Sequence, residues 1–497
     1  MTVTAHAPRH TGTSSVELFG RPVPTGCLIG GRWSASGDGS AIAVTDPATG
    51  DVLTQVADGT PQDALAAVDA AATAMPGWAA RAPRERGEVL RRAHELMIER
   101  EDWFAQLIVA ENGKSFADAL GEVRYAAEFF RWYAEEAVRL SGSVQTAPAG
   151  TNRILVIPQP IGVALLITPW NFPAAMATRK IGPALAAGCS VLLKPASETP
   201  LTALAVAQLL AEAGVPDGVV NVIPSRRSGA VAAQVLADPR VRKLSFTGST
   251  EVGRVLLAEA AKHVVSCSME LGGNAPFLVL DDADLDEAVA GAMVAKMRNG
   301  GEACTAANRF YVHRDVAEEF CRKLTDAMAG LRIGPGSDRR NQLGPLVNAA
   351  GRDKVASLVD SAIGAGARVL TGGVVPDGPG FFYPPTVLAD VPAEAPILAE
   401  EIFGPVAPVV TFSSDDQAVQ LANRTEYGLV AYVYSRDLAR GLRIAEALEC
   451  GMVGLNRGVV SDPAAPFGGS KQSGLGREGG HEGMLEYTEP KYVAVSW

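Results

Sequence analysis

Of the six cysteines, Cys304 stands apart by its neighbours. It lies in RNGGEACTAANR, residues 298–309, just after two glycines and among Glu302, Thr305 and Asn308. Glycines let backbone amides approach a ligand closely, and the charge of Arg298 favours the thiolate that makes a cysteine nucleophilic. Free cysteine is also among the most buried residue types, so on these residues alone packing and nucleophilic attack both stay open. A thiol nucleophile needs a proton acceptor. Among the six histidines only His481, in GGHEG, has a polar, glycine-flanked setting. A carboxylate is the other choice. Glu270 in SMELGGNAP sits between Met269 and Leu271 with two glycines beyond. An acid in apolar surroundings has a raised pKa and suits a general base; a strand-end acid facing water is the alternative.

A second chemistry-bearing stretch is FTGSTEVG, residues 246–253. It is neither the G-x-G-x-x-G fingerprint nor a P-loop, because Arg254 and Val255 follow Gly253 where a P-loop has Lys and Ser or Thr. A strand ending at Thr247 with a helix starting behind it still offers free N–H groups to a pyrophosphate, and Ser249 adds a hydroxyl. The cysteines show no C-x-x-C pair and no zinc spacing, so no metal site is expected.

These residues need elements to hold them. Residues 62–140 carry apolar side chains three and four apart and read as helices. GVALLIT, SVLLKP, VVNVI and KLSFT then alternate with helical stretches, which implies a parallel sheet with helices on both faces. Such sheets bind ligands at the carboxyl ends of their strands. A second alternating region begins near Ala275 with the strand PFLVL. The helix DADLDEAVAGAMVAKMRN follows, with Lys296 and Arg298 in its last turn, and RFYVH resumes as strand. Cys304 is therefore expected on a glycine-rich loop between helix and strand.

At 497 residues the chain is too long for one core, so two large domains are expected. A net charge of −11 without a Lys/Arg-rich block argues against nucleic acid. The longest uncharged stretch contains four prolines, which argues against a membrane span. The opening residues have no apolar run, so no leader is expected and the thiols are read as reduced, in a cytoplasm.

TPWNFP, KPAS, FTGSTEVG, ELGGNAP, the Cys304 loop, EEIFGPV and PFGGSKQSGLGRE occur in this order. Together they resemble the aldehyde dehydrogenase superfamily from about residue 25 onward. The resemblance implies an α/β chain with a Rossmann-like dinucleotide domain (1–141 and 161–270, with 1–20 a loose arm) and an α/β catalytic domain (271–472). It further implies a small β oligomerisation element (142–160 and 482–497) and a homo-dimer or homo-tetramer. An edge strand such as YVAVSW needs a partner. In the chemistry the resemblance implies, Cys304 attacks an aldehyde to give a thiohemiacetal, with the Asn171 amide and the Cys304 N–H holding the oxyanion. Hydride loss leaves a thioester, which water activated by Glu270 hydrolyses. Lys180 and Glu478 match a pair that passes the proton onward, or a structural ion pair.

The resemblance also places the dinucleotide against Thr168, Pro169, Trp170, Lys194, Ser197, Phe246, Gly248, Ser249, Val252, Leu271, Glu401 and Phe403. NAD users often carry Glu where Ser197 stands. Serine leaves room for a 2′-phosphate, so NADP is favoured with NAD possible. Arg226 or Arg227 is expected to reach that phosphate, Arg227 being the choice for the site. Arg179, Arg298 and Ser461 match the carboxylate pocket of the succinate-semialdehyde branch, and arginine forks pair bidentately with carboxylates. The expected substrate is thus a small aldehyde with a distal carboxylate. Glutarate semialdehyde or a neutral aldehyde is the alternative within the mechanism. A non-catalytic descendant and a cofactor-free thiol hydrolase are the readings from other classes. Ala306 stands where some members carry a second cysteine, so no local disulfide switch is expected.

Overall fold

A computed structural model describes residues 15–496. Its first sheet has eight strands, in the order Gly474–Leu475, Ser266–Glu270, Val241–Thr247, Val163–Ile167, Ser190–Lys194, Val220–Val222, Cys27–Ile29 and Arg32–Ser34. The strands from Ser266–Glu270 to Val220–Val222 are parallel. Val163–Ile167 and Ser190–Lys194 are buried at every position, which fits interior strands covered on both faces. The second sheet runs Arg368–Thr371, Thr386–Ala389, Val406–Phe412, Ala307–His313, Ala275–Val279, Val430–Tyr434 and Met452–Leu455. It is parallel except at its first pair. Thr488–Val495, Arg153–Pro160 and Ser143–Thr146 form a separate antiparallel sheet on which Val144, Ile157 and Tyr492 are exposed.

Three expectations need correction. The first sheet is mixed: short antiparallel strands close both its edges, and Gly474–Leu475 reaches it from beyond the second sheet. The arm is ordered where it is described. Ser15–Leu18 pairs with Arg21–Pro24, and the Leu18 carbonyl accepts the Trp103 Nε1–H at 3.0 Å; residues 1–14 lie outside the described residues. The helix Leu285–Met297 stops one residue before Arg298, whose ψ of 126° is extended. Asn299 and Gly300 then turn left-handed, at φ 53° and 61°. Glycine adopts that region freely; Asn is one of the few other residues that tolerates it.

One helix does most to position the site. Pro173–Ala187 starts with proline in its first turn, ends at the left-handed Gly188, and is buried along its whole length. A buried helix must satisfy its first N–H groups from within the protein. Glu122, on the neighbouring helix Phe116–Glu136, does so: its Oε1 accepts from the Ala174 and Ala175 amides at 2.8 and 3.3 Å. Its Oε2 accepts from Lys114 Nζ at 2.6 Å, and both side chains of this pair are buried. Removing one partner of a buried pair costs about 3–5 kcal/mol, because the other charge is left uncompensated. Lys114→Met should lose about that much in a urea titration followed by tryptophan fluorescence. A midpoint equal to that of the wild type would contradict the placement of this pair.

Candidate active site

Segments that follow strands of the first sheet meet segments that precede strands of the second around a cavity of about 280 Å³. Pro169, Trp170, Gly248, Ser249 and Leu271 line one side, and Cys304, Glu401 and Phe403 the other. The Cys304 loop is pressed against its surroundings. A Cβ on Gly301 would come within 2.3 Å of the Gly404 carbonyl, and one on Gly273 within 2.4 Å of the Cys304 carbonyl. Both positions therefore need glycine for close approach.

Asn171 is fixed from both ends. Its side-chain Nδ2 donates to the Glu302 carbonyl at 3.0 Å. Its own carbonyl accepts from Lys114 Nζ at 2.7 Å and from Asn299 Nδ2 at 2.9 Å, and Asn299 Nδ2 also reaches the Glu302 carbonyl. An amide nitrogen carries two hydrogens, so Asn171 keeps a second donor beside Cys304. Lys114, Glu122 and Asn299 had no motif to mark them. The available signal was the demand of a buried helix for a carboxylate at its start.

Behind the cavity wall lies a charged cluster. Arg179 Nε is 2.5 Å from Glu478 Oε2, and Lys180 Nζ binds Glu478 Oε1. Burial pushes the Glu478 carboxyl up, but Arg179 and Lys180 outweigh it and hold the group below its usual range. Burial lowers the Lys180 amine more than Glu478 raises it. Glu270 is buried, and neither of its carboxyl oxygens has a protein hydrogen-bond partner among the described residues. Burial first, and Glu478 second, push its pKa well above the usual carboxylate value. The raised Glu270 expected from Met269 and Leu271 is therefore present.

The thiolate expected at Cys304 is not. Burial pushes the thiol up to about 12; Arg179 opposes this, and Arg298 contributes less. A guanidinium cannot offset the loss of water around the sulfur. Arg298 does not cap the last helical carbonyls either. Its Cζ lies 5.1 Å over the Phe172 ring, whose centroid is also 4.2 Å from Lys114 Nζ. Arg179 lies 4.3 Å over Phe467 and donates to the phenol of Tyr125, which also feels Arg298 and Cys304. The structure thus brings Arg179, Arg298, Glu270 and Cys304 together and adds Tyr125, which sequence reasoning missed because it sits on a distant helix. Ser461 lies half-buried on the loop after Met452–Leu455, and its side chain makes no hydrogen bond among the described residues.

The dinucleotide side holds two surprises. Ser249 is the N-cap of the helix Thr250–Ala261; its oxygen accepts from the Val252 amide, and its hydroxyl also pairs with Glu251. Capping satisfies a first-turn N–H, so the hydroxyl is already engaged. Arg227 turns from the groove toward Asp38 at 2.7 Å and Ser40 at 2.8 Å. Arg226 instead lines a cavity with Ser197 and Glu198. Ser197 Oγ donates to Glu198 at 3.2 Å, and Lys194 is buried with its amine drawn down to about 8 by that burial. Thr168 is buried behind Trp170, whose ring meets Phe403 edge-on at 5.4 Å. Phe246 packs under Gly248, where a Cβ would lie 2.4 Å from the ring. Val252 is half exposed on the helix face. Glu401 accepts from the Gly273 amide at 3.1 Å, and burial lifts its carboxyl to about 7. A helix start, a buried lysine and an aromatic-lined cavity fit a dinucleotide.

Two α/β sheets meeting at a partly buried thiol and a buried amide and carboxyl, with a dinucleotide cradle alongside, define an oxidoreductase. The chain belongs to the aldehyde dehydrogenase family, whose model matches residues 33–493. A succinate-semialdehyde dehydrogenase of Paenarthrobacter nicotinovorans is 57% identical over 90% of this chain and 99% of its own length. An NADP(+) succinate-semialdehyde dehydrogenase of Escherichia coli is 50% identical over 94% and 97%. A glutarate-semialdehyde dehydrogenase of Pseudomonas putida is 48% identical over 94% and 96%. A crystal structure described as an NADP-dependent enzyme of E. coli superposes with a TM-score of 0.94 at 49% identity, covering 96% of this chain and 98% of that one. No described helix is long and apolar enough to cross a membrane, and no described cluster of His, Cys, Asp or Glu could hold a metal ion.

A thiol near pKa 12 is ionised in about one molecule in 10⁵ at pH 7. Alkylation of Cys304 by iodoacetamide without dinucleotide should therefore rise about tenfold per pH unit and reach about 100-fold between pH 7 and 9. Mass spectrometry of the Cys304 peptide reads this directly. A rate already at its plateau near pH 7 would show a thiolate at rest.

Proposed function

We propose that the protein oxidises succinate semialdehyde to succinate with NADP as the preferred acceptor. The observation that carries this is the convergence of two arginines, Arg179 and Arg298, on the Cys304 thiol. A pocket for a plain aldehyde has no use for two buried or half-buried cations. A distal carboxylate does, and it pairs with guanidinium forks. Arg179 is partly engaged by Glu478, so Arg298 is the freer anchor, and Ser461 is read as a further donor. The names of the relatives agree with an aldehyde bearing a carboxylate. One methylene changes discrimination by only about 10- to 200-fold, so glutarate semialdehyde is the nearest competitor.

In this reading Cys304 loses its proton and attacks the carbonyl carbon. The second Asn171 N–H and the Cys304 N–H hold the oxyanion; a donor of this kind contributes about 3 kcal/mol. When bound, the nicotinamide accepts the hydride. The acyl group then rests on the sulfur as a thioester, and Glu270 takes the proton of the water that releases it. Lys180 and Glu478 hold Glu270 in a field of balanced charge. Thr168, Pro169, Trp170, Glu401 and Phe403 frame the nicotinamide end; Lys194, Ser197, Phe246, Gly248, Val252 and Leu271 frame the adenosine end. Ser197 leaves room for the 2′-phosphate, and the cavity that Arg226 lines with Ser197 supports Arg226, rather than Arg227, as the arginine that reaches it. The exposed faces of the three-stranded sheet support assembly as a homo-dimer or homo-tetramer.

Arg298→Ala should lower kcat/KM for succinate semialdehyde by about 10- to 150-fold, the worth of a charged hydrogen bond of about 1.5–3 kcal/mol. Turnover of an uncharged aldehyde should change little. Equal losses on both substrates would remove the carboxylate pocket and leave the family chemistry standing. For the coenzyme, Arg226→Ala should raise the KM for NADP about tenfold and spare NAD. An unchanged KM for NADP would remove Arg226 from the site.

A further inference from the structure

Arg298 and Asn299 leave the helical path before any glycine releases them; Gly300 and Gly301 come only afterwards. Arg298 is extended at ψ 126°, and Asn299 is left-handed at φ 53°. A residue other than glycine stays in that region where surrounding contacts over-determine it, and such residues gather at functional sites.

Two grips hold Asn299 there. Its side-chain Nδ2 donates to the Asn171 and Glu302 carbonyls, each at 2.9 Å. Its backbone N–H donates to the carboxylate of Asp118. The first grip faces the Cys304 loop. The second comes from a different element, the first turn of Phe116–Glu136.

Asp118 is itself a fixed point. The N-cap Ser115 accepts from the Asp118 amide at 3.2 Å and donates its hydroxyl to Asp118 Oδ2 at 3.0 Å. The free N–H groups of a first helical turn also favour an acid there. One turn further on, Glu122 holds the start of Pro173–Ala187. Residues four apart share a helix face. One face of one helix therefore holds both the Arg298 turn and the helix that follows Asn171.

The charges agree. Burial lifts the Asp118 carboxyl, while Lys114, the Ser115 hydroxyl, Arg298 and the Asn299 amide pull it down, in falling order. Lys114 already has Glu122 at 2.6 Å. Lys114 and Arg298 both lie over the Phe172 ring, at 4.2 and 5.1 Å. Two cations on one ring repel each other, and the negative charge of Asp118 offsets that. Asp118 takes hydrogen bonds from Ser115 and from the Asn299 backbone and acts on the Arg298 guanidinium by charge. The guanidinium fork is thus left for a ligand.

We propose that Asp118 is a specificity-determining positioning residue: by taking the Asn299 amide it holds the turn that carries the Arg298 guanidinium off the helix end and onto Phe172, where it meets the distal carboxylate of a substrate. Asp118 itself never touches substrate. This rests on Arg298 being that anchor.

The test pairs succinate semialdehyde with butanal, which has the same carbon chain and no carboxylate. Asp118→Ala should raise the KM for succinate semialdehyde about tenfold, as loss of a charged hydrogen bond does, with kcat held and butanal turnover unchanged. Asp118→Asn keeps an oxygen for the Asn299 amide and should stay within about twofold of wild type. Added to Arg298→Ala, Asp118→Ala should bring no further loss, because it acts through Arg298. Where Asp118→Ala does not fold, Asp118→Ser, whose side chain is too short to reach, gives the same comparison. Equal losses on the two aldehydes, no loss on either, an Asp118→Asn as weak as Asp118→Ala, or a further loss in the double variant would each overturn the proposal. If Arg298→Ala itself did not separate the two aldehydes, the anchor reading beneath it would fall instead.

Discussion

The burial of one helix sets the terms for the rest of the site. Pro173–Ala187 has no face to water, yet it carries Arg179 and Lys180 and begins two residues after Asn171. Its N-terminal amides and both cations must all be compensated inside the protein. Glu122 answers the amides and Glu478 answers the cations. Lys114 then neutralises Glu122 and, through the Asn171 carbonyl, ties the helix start to the Cys304 loop. These contacts are structural, and they fix the amide, the arginine and the thiol relative to one another.

The same burial explains the resting chemistry. The pKa values of Cys304 and Glu270 are both raised although Arg179 and Lys180 stand close. Loss of hydration outweighs neighbouring charge at both groups. A neutral thiol is a weak nucleophile and a poor target for stray electrophiles. Reactivity then depends on how binding an anionic substrate and a dinucleotide changes the local field.

Most of the scaffold was legible because it is written locally. Alternating apolar runs and helical spacings marked both sheets, and FTGSTEVG marked the helix start. The glycines around Cys304 marked a tight loop. The hidden features depend on contacts far apart in sequence. Arg298 reads as a helical charge until the left-handed Asn299 turns the chain and Phe172 takes its guanidinium. Ser249 reads as a ligand hydroxyl until its own helix takes it as a cap. Arg226 and Arg227 are equivalent in sequence, and Asp38 and Ser40, nearly two hundred residues away, separate them. Tyr125 and the edge strands had no local pattern to betray them.

The most direct measurement traps the acyl group. Glu270→Gln mixed with succinate semialdehyde and NADP, quenched in acid and digested, should yield the Cys304 peptide carrying a succinyl thioester, with NADPH formed in step. NADPH formed without an adduct on Cys304, or an adduct on another cysteine, would contradict the account.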